Sequence, residues 1–294
     1  MNDIRVREAY PADYSTIARI IAEQNQKPET HCIQSSSTDD QAAIADEIAE
    51  LFAREELLFM VADLEGEMTG LMGCEFDQAV GRGWTRGPFL TRDLWDSLPR
   101  QLIEALLSAL PPTIRRLDSF LNEKNTQGHR FYLQNGFQQG GLVHVYQALA
   151  SGYPVGDHGV CPEITLDQEQ AFIALHDSAF PVTFIDGQGI LEQQDEDHKL
   201  FIYAKETPVD GYIHVSIDKF AGEGYIEFIA VRPELRGRGI GKTLLLCALE
   251  WCFTTRGLSS VGLTVHEELA NAQALYASVG FQLLYTGVNH RREW

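Results

Sequence analysis

The chain has 294 residues, 44% of them apolar and 22% charged, with a formal net charge of −19. That length accommodates two domains of ordinary size, and the composition is that of a soluble globular protein. The charge divides as −9 over residues 1–150 and −10 over 151–294, and no basic stripe or arm argues for a nucleic-acid partner. An acidic surface favours cationic ligands such as amines, but its main effect is solubility. Five scattered cysteines with no C-x-x-C suggest a reducing compartment, with Cys247 and Cys252 expected as packing residues of one apolar helix. The nine histidines lack metal-ligand spacing, so no metal is expected. The N-terminus does not read as a signal peptide and no apolar run approaches the roughly 20 residues of a membrane helix, so a cytoplasmic protein without membrane contact is expected.

In chain order, Ile4–Arg7 alternates like a short strand, and Asp13 is placed to cap a helix carrying Tyr14, Ile17, Ile20 and Ile21 on one face. Residues 25–40, polar and Ser-rich, read as a mobile loop before a helix over about 41–55. A hairpin follows across Asp63–Gly66, joining strands 57–62 and 68–76. Next come a strand over 84–90, a helix over 101–110 ended by Pro111-Pro112, a strand over 114–121, a short helix closing on Gly136-Phe137, and a strand over 143–149. Residues 151–163, with three glycines and two prolines, read as a linker between domains at 1–150 and 164–294.

The second half repeats this order. Helices are predicted over 167–180 and to about Gln193, and strands over 200–205 and 211–217 around a turn at Thr207–Asp210. Strand 225–231, a glycine loop and a helix lead to strand 261–265 and a helix through Tyr276. Gln282–Thr286 is a short strand, with His290–Trp294 a short last one. Tyr132-x-x-x-Gly136-Phe137 is matched by Tyr276-x-x-x-Gly280-Phe281, offset by 144 (132 to 276), and strand end Leu90 by Val231, offset by 141 (90 to 231). Duplication is the reading that accounts for both.

The loop Arg236-Gly237-Arg238-Gly239-Ile240-Gly241 runs from a strand closed by Pro233 straight into a helix starting at Lys242. Glycines that let backbone N–H groups converge at a helix start make a phosphate cradle. The spacing is one residue short of a Walker loop, and G-x-G-x-G is not a dinucleotide fingerprint. Arg-x-x-Gly-x-Gly after a strand ending Ile-Ala-Val-x-Pro resembles the acetyl-CoA pyrophosphate loop of the GCN5-related N-acetyltransferases (GNAT superfamily).

The resemblance covers both halves. It implies an α/β (α+β) chain of two tandem acyl-CoA N-acyltransferase folds, each a mixed, mostly antiparallel sheet flanked by helices. It also implies the site residues. Backbone N–H groups of Ile229, Ala230 and Val231 would meet the thioester oxyanion, and those of Gly237, Gly239, Ile240 and Gly241 the pyrophosphate, with charge from Arg236, Arg238 and Lys242. Tyr276 would protonate the departing thiolate. Glu227, a carboxylate in an apolar strand and in period-two register with Val231, is the candidate base, with His214 and His266 as alternatives. The family asparagine seven residues before the tyrosine is replaced by Leu269, leaving Asn271 as the nearest candidate for cofactor contact. The first half carries Trp95-Asp96-Ser97-Leu98-Pro99-Arg100 where the loop should be, so it reads as a degenerate copy.

The expected activity is transfer of an acetyl group from acetyl-CoA to a primary amine of a small molecule or peptide by direct attack, with the oligomeric state open. The alternative is a non-catalytic acyl-CoA-binding sensor or protein-interaction module on the same fold.

Overall fold

Isoleucines at helical spacing make the first helix. Ile17, Ile20 and Ile21 recur on one face of α1 (Tyr14–Asn25), and all three are fully buried. Asp13 precedes that helix without capping it. Its carboxylate instead accepts from the Arg7 guanidinium at 2.7 and 3.0 Å and from the Tyr10 backbone N–H, an ion pair stronger than a neutral cap. The second helix, α2 (Gln41–Ala53), is capped as its sequence suggests: Asp40 accepts from the N–H groups of Ala42 and Ala43.

Residues 4–153 and 161–294 are described in this computed structural model, so the central part of the expected linker, 154–160, lies outside the described residues. The chain forms two compact units, one of residues 1–143 with 285–294 and the other of residues 144–284. Unit 1 is built on β1 (Arg5–Glu8), β2 (Leu57–Leu64), β3 (Glu67–Asp77), β4 (Arg82–Leu90) and β5 (Arg116–Asn122), hydrogen-bonded in that order. Helices α3 (Leu98–Ala109) and α4 (Thr126–Gln134) follow β4 and β5. The sheet is antiparallel except where β4 pairs with β5 in parallel.

Strand β6 (Gln138–Leu149) leaves unit 1 after Val143, and its remaining residues belong to unit 2. Unit 2 repeats the order: α5 (Glu169–Ala179), α6 (Gly187–Glu192), β7 (His198–Tyr203), β8 (Gly211–Asp218), β9 (Glu223–Val231), α7 (Ile240–Glu250), β10 (Ser260–His266) and α8 (Ala270–Ala277). Its strands are antiparallel from β7 to β9, and β9 pairs with β10 in parallel.

Three sequence expectations are corrected here. Residues 25–40 are not a loose loop: Ile33–Ser35 is a helical turn, Cys32 forms a β-bridge to Leu121, and Ser35 is fully buried. The two short C-terminal strands are one long strand, β11 (Gln282–Glu293), whose end pairs antiparallel with β5 from Gly287↔Asn122 to Glu293↔Arg116. Residues 285–294 thus complete unit 1 rather than the unit that precedes them in the chain. Cys247 is not a free packing thiol. It is disulfide-bonded to Cys161, 86 residues earlier, with Cα atoms 5.9 Å apart, so scattered spacing did not exclude a bond; Cys252 is buried and free. No helix of the described residues is long and apolar enough to cross a membrane.

The repeated order of the two units is matched in their backbone register. In unit 1 the parallel pairing of β4 and β5 includes Gly83↔Leu117 and Trp84↔Asp118. In unit 2 the parallel pairing of β9 and β10 is Gly224↔Val261 and Tyr225↔Gly262. The offsets are 141 (83 to 224) and 144 (117 to 261), the same two read from the sequence.

Candidate functional site

Beyond those two parallel pairs, β9 and β10 separate, and a cleft of about 1000 Å³ opens between them. Ile229, Ala230 and Val231 line it from β9, and Leu263 to His266 from β10. The glycine loop, the first turn of α7 and the start of α8 complete that end. The site therefore lies where two parallel strands part at their C-terminal ends, with a helix start aimed into the opening.

The loop is held by its neighbours. Asp210 accepts from the N–H groups of Lys205, Glu206 and Thr207, which builds the predicted turn. Arg232 clasps that turn through Nε to the Val209 carbonyl at 2.7 Å and its own N–H to the Asp210 carbonyl. Gly237 and Gly239 both sit at left-handed φ, +77° and +84°, a conformation that side chains resist. The first hydrogen bond of α7 runs from Thr243 N–H to Gly239 C=O, so the N–H groups of Ile240, Gly241 and Lys242 have no carbonyl within the helix. These donors, the positive end of the helix dipole and the Lys242 ammonium meet at the cleft.

Arg236 lines the cleft with its Nε on the Val231 carbonyl, and Asn271 lines it from α8. Arg238 does not line it. Its guanidinium pairs with Glu206 at 2.7 Å on the exposed surface, because the turn at Gly237 directs it toward the strand-connecting turn instead.

Glu227 lies in the same cleft, but by a different route from the period-two expectation. His214 is opposite Phe228 and Val215 opposite Ile226, so Glu227 is the extra residue of a β-bulge. The bulge exchanges the faces of β9. Ile226 packs with Ile213, Val215 and the α7 leucines, whereas Phe228 and Ala230 pack with Tyr212, Phe172 and Ile190. Val231 packs on the first of these faces. Glu227 instead accepts from Ser216 Oγ at 2.7 Å, and alternation along β8 puts Ser216 on the face of Tyr212 and His214. Burial raises the Glu227 pKa above the ordinary carboxylate value, opposed by the Ser216 hydroxyl and by the charge of nearby His198.

Tyr276, 8% exposed, lines the cleft, and its hydroxyl has no hydrogen-bond partner among the described residues. Burial pushes its pKa up to about 12, which keeps it a proton donor. Of the alternative bases, His214 is buried beneath Phe228, outside the cleft lining, with a pKa lowered to about 4 by burial. His266 is exposed at the cleft edge.

Local sequence did not single out Ser216, whose role comes from cross-strand pairing. Phe180 and Phe228 were likewise indistinguishable from core residues. No group of three metal-ligating side chains occurs among the described residues.

The equivalent gap in unit 1 is filled. Beyond Trp84↔Asp118, the segment His31–Ser35 lies between β4 and β5. Asn122 N–H donates to the His31 carbonyl, Gly87 N–H to Cys32 Sγ, and Arg86 Nη1 to the Ser35 carbonyl. Tyr132, at the position of Tyr276, is fully buried and donates to the Gly87 carbonyl at 2.5 Å.

Residues 169–281 match the family described as Acetyltransferase (GNAT) family. None of the curated protein sequences matches the chain. A GCN5-related N-acetyltransferase from Sphaerobacter thermophilus is similar in structure at 19% identity and TM-score 0.72, over 99% of this chain and 95% of that one. A tandem GNAT protein from the clavulanic acid biosynthesis pathway is similar at 13% identity and TM-score 0.62, over 99% and 98%. A putative acetyltransferase from Pyrococcus horikoshii is similar at 13% identity and TM-score 0.60, over 99% and 89%. At these identities the structures establish the fold.

Proposed function

We propose that this chain, which carries a GNAT acetyltransferase domain over residues 169–281, uses the unit 2 cleft to transfer an acetyl group from acetyl-CoA to a primary amine. One observation carries the reading: the unpaired N–H donors at the start of α7 face the same cleft as the unpartnered Tyr276 hydroxyl and the half-buried Glu227 carboxylate. The donors suit a pyrophosphate, with Arg236 and Lys242 adding charge. Asn271 lies within reach of the same ligand from α8.

In this mechanism Glu227, made more basic by burial, takes a proton from the acceptor ammonium. The free amine attacks the thioester carbon, and backbone N–H groups at Ile229 to Val231 stabilise the oxyanion. Collapse of that oxyanion re-forms the C=O bond and breaks the C–S bond, with the C–N bond retained. Tyr276 gives its proton to the departing thiolate and regains one from the nitrogen through solvent. The products are an amide, the free thiol and one proton, with no covalent enzyme intermediate.

In unit 1 the filled gap supports a copy that binds no acyl-CoA. Its loop position lacks glycine and carries Asp96 and Pro99. Calorimetry on the full-length chain tests both statements. One acetyl-CoA per chain is expected; no binding overturns the function, and two per chain overturns the closure of unit 1.

A further inference from the structure

The end of the unit 2 cleft away from the glycine loop has its own chemistry. Phe228 follows Glu227 on the bulge, and four rings gather on it: Phe180 at 5.1 Å between centroids, Phe184 at 5.4 Å, His176 at 4.9 Å and, beneath it, His214 at 6.4 Å. Phe180 and Phe228 line the cleft. Phe184 sits beside them, half exposed, in the loop between α5 and α6.

This loop is anchored at both ends. His176 bonds the Tyr212 hydroxyl through Nδ1 at 2.6 Å and the Ile185 carbonyl through Nε2 at 3.2 Å. Asp177 accepts from the Gly187 N–H at 2.9 Å. Between the anchors, Val182 and Phe184 are exposed at 90% and 52%, although both are large and apolar. An apolar pair held out in water on a braced loop beside a carboxylate is arranged to be covered by a ligand.

Charge decides which ligand. The cleft lining contains two carboxylates: Glu227, held by Ser216 within the bulge, and Glu268 at the β10–α8 connection. Asp177 and Asp186, the acids nearest the loop, are both engaged with backbone N–H groups. Glu227 thus receives one ammonium, and the surface next to it is aromatic rather than acidic.

Resting on the acetyltransferase reading, we infer that the acceptor is a monoamine whose nitrogen is carried on a flat apolar group, which seats on Phe180, Phe184 and Phe228 while the nitrogen reaches Glu227. An aromatic ring one or two carbons from the nitrogen fits that arrangement, through edge or offset stacking on the phenylalanines. A polycation finds Glu227 as the carboxylate beside these rings and leaves its other charges against apolar surface, which is unfavourable.

The test uses the full-length protein, with acetyl-CoA turnover followed by release of free thiol. Acceptors are 2-phenylethylamine, spermidine and ethanolamine, and 2-phenylethylamine is expected to have the highest kcat/KM by at least about tenfold. Phe184→Ala, at a half-exposed loop position, is expected to raise KM for 2-phenylethylamine by about 3–10-fold while leaving KM for acetyl-CoA unchanged. Faster turnover of spermidine or ethanolamine overturns the inference and leaves the acetyltransferase reading standing, as does an unchanged KM in Phe184→Ala. Where acetyl-CoA binds but no amine turns over, calorimetric titration of 2-phenylethylamine into the CoA complex decides, and absence of binding overturns the inference. Failure to bind acetyl-CoA is a failure of the underlying function instead.

Discussion

The two units share a backbone and differ in what occupies the gap between their parallel strands. In unit 2 the gap between β9 and β10 is an open cleft with Glu227 at the bulge. In unit 1 the same gap holds His31–Ser35, and the position offset by 141 from Glu227 (86 to 227) is Arg86. Arg86 is 2% exposed and bonds Glu47 and Glu75 at 2.7 and 2.6 Å. The same arrangement of strands thus exposes a carboxylate to a cleft in unit 2 and seals a guanidinium among carboxylates in unit 1. A guanidinium cannot serve as a base near neutral pH, and the paired charges fasten α2 to the sheet. The comparison teaches that the strand gap is a property of the fold, whereas its use depends on which segment enters it.

The largest expected effect comes from exchanging these two positions for neutral residues. Glu227→Gln should lower kcat/KM by about 10²–10⁴-fold with acetyl-CoA affinity unchanged. Arg86→Met should leave the chemistry intact but cost about 3 kcal/mol of stability, because the ion pairs to Glu47 and Glu75 are lost from a buried site. Denaturant unfolding and steady-state kinetics on both variants measure this. A rate loss in the folded Arg86 variant equal to that of Glu227→Gln would break the division of roles.

The tyrosines give a smaller contrast. Tyr276→Phe should reduce turnover by about 10²-fold, since in the proposed mechanism the thiolate then leaves without a proton donor. Tyr132→Phe should not change turnover but should cost about 1–2 kcal/mol, by removing the bonds to Gly87 and Thr85 from a buried site. Equal kinetic effects at both positions would count against an active role for Tyr276.

The pH profile sharpens the same comparison with the least perturbation. As the proposed base Glu227 must be deprotonated, and burial raises its pKa, so the acidic limb of kcat/KM should lie above the range of a free carboxylate. Glu227→Gln should abolish that limb. Tyr276, with a pKa of about 12, should stay protonated and give no basic limb below about pH 11. An acidic limb that persists in the Gln variant assigns the base elsewhere, with exposed His266 next in line.

Local order alone settled a good deal. The strand–loop–helix from Tyr225 to Phe253, the two offsets of the repeat and the Tyr-x-x-x-Gly-Phe pairs are contiguous patterns, so they were legible without coordinates. The unpaired N–H groups of the glycine loop also follow from local backbone rules, because a helix start leaves its first donors free wherever it occurs. Tertiary structure decided what depends on partners distant in the chain. The face presented by Glu227 turns on a bulge opposite His214 and Val215, and the disulfide joins Cys161 to Cys247. Residues 285–294 complete unit 1 by pairing with β5, more than 160 positions earlier (122 to 287). The Ser-rich stretch read as mobile because its polarity is local, whereas its order comes from hydrogen bonds to β4 and β5. Periodicity records which residues a segment buries, but not which other segment covers them.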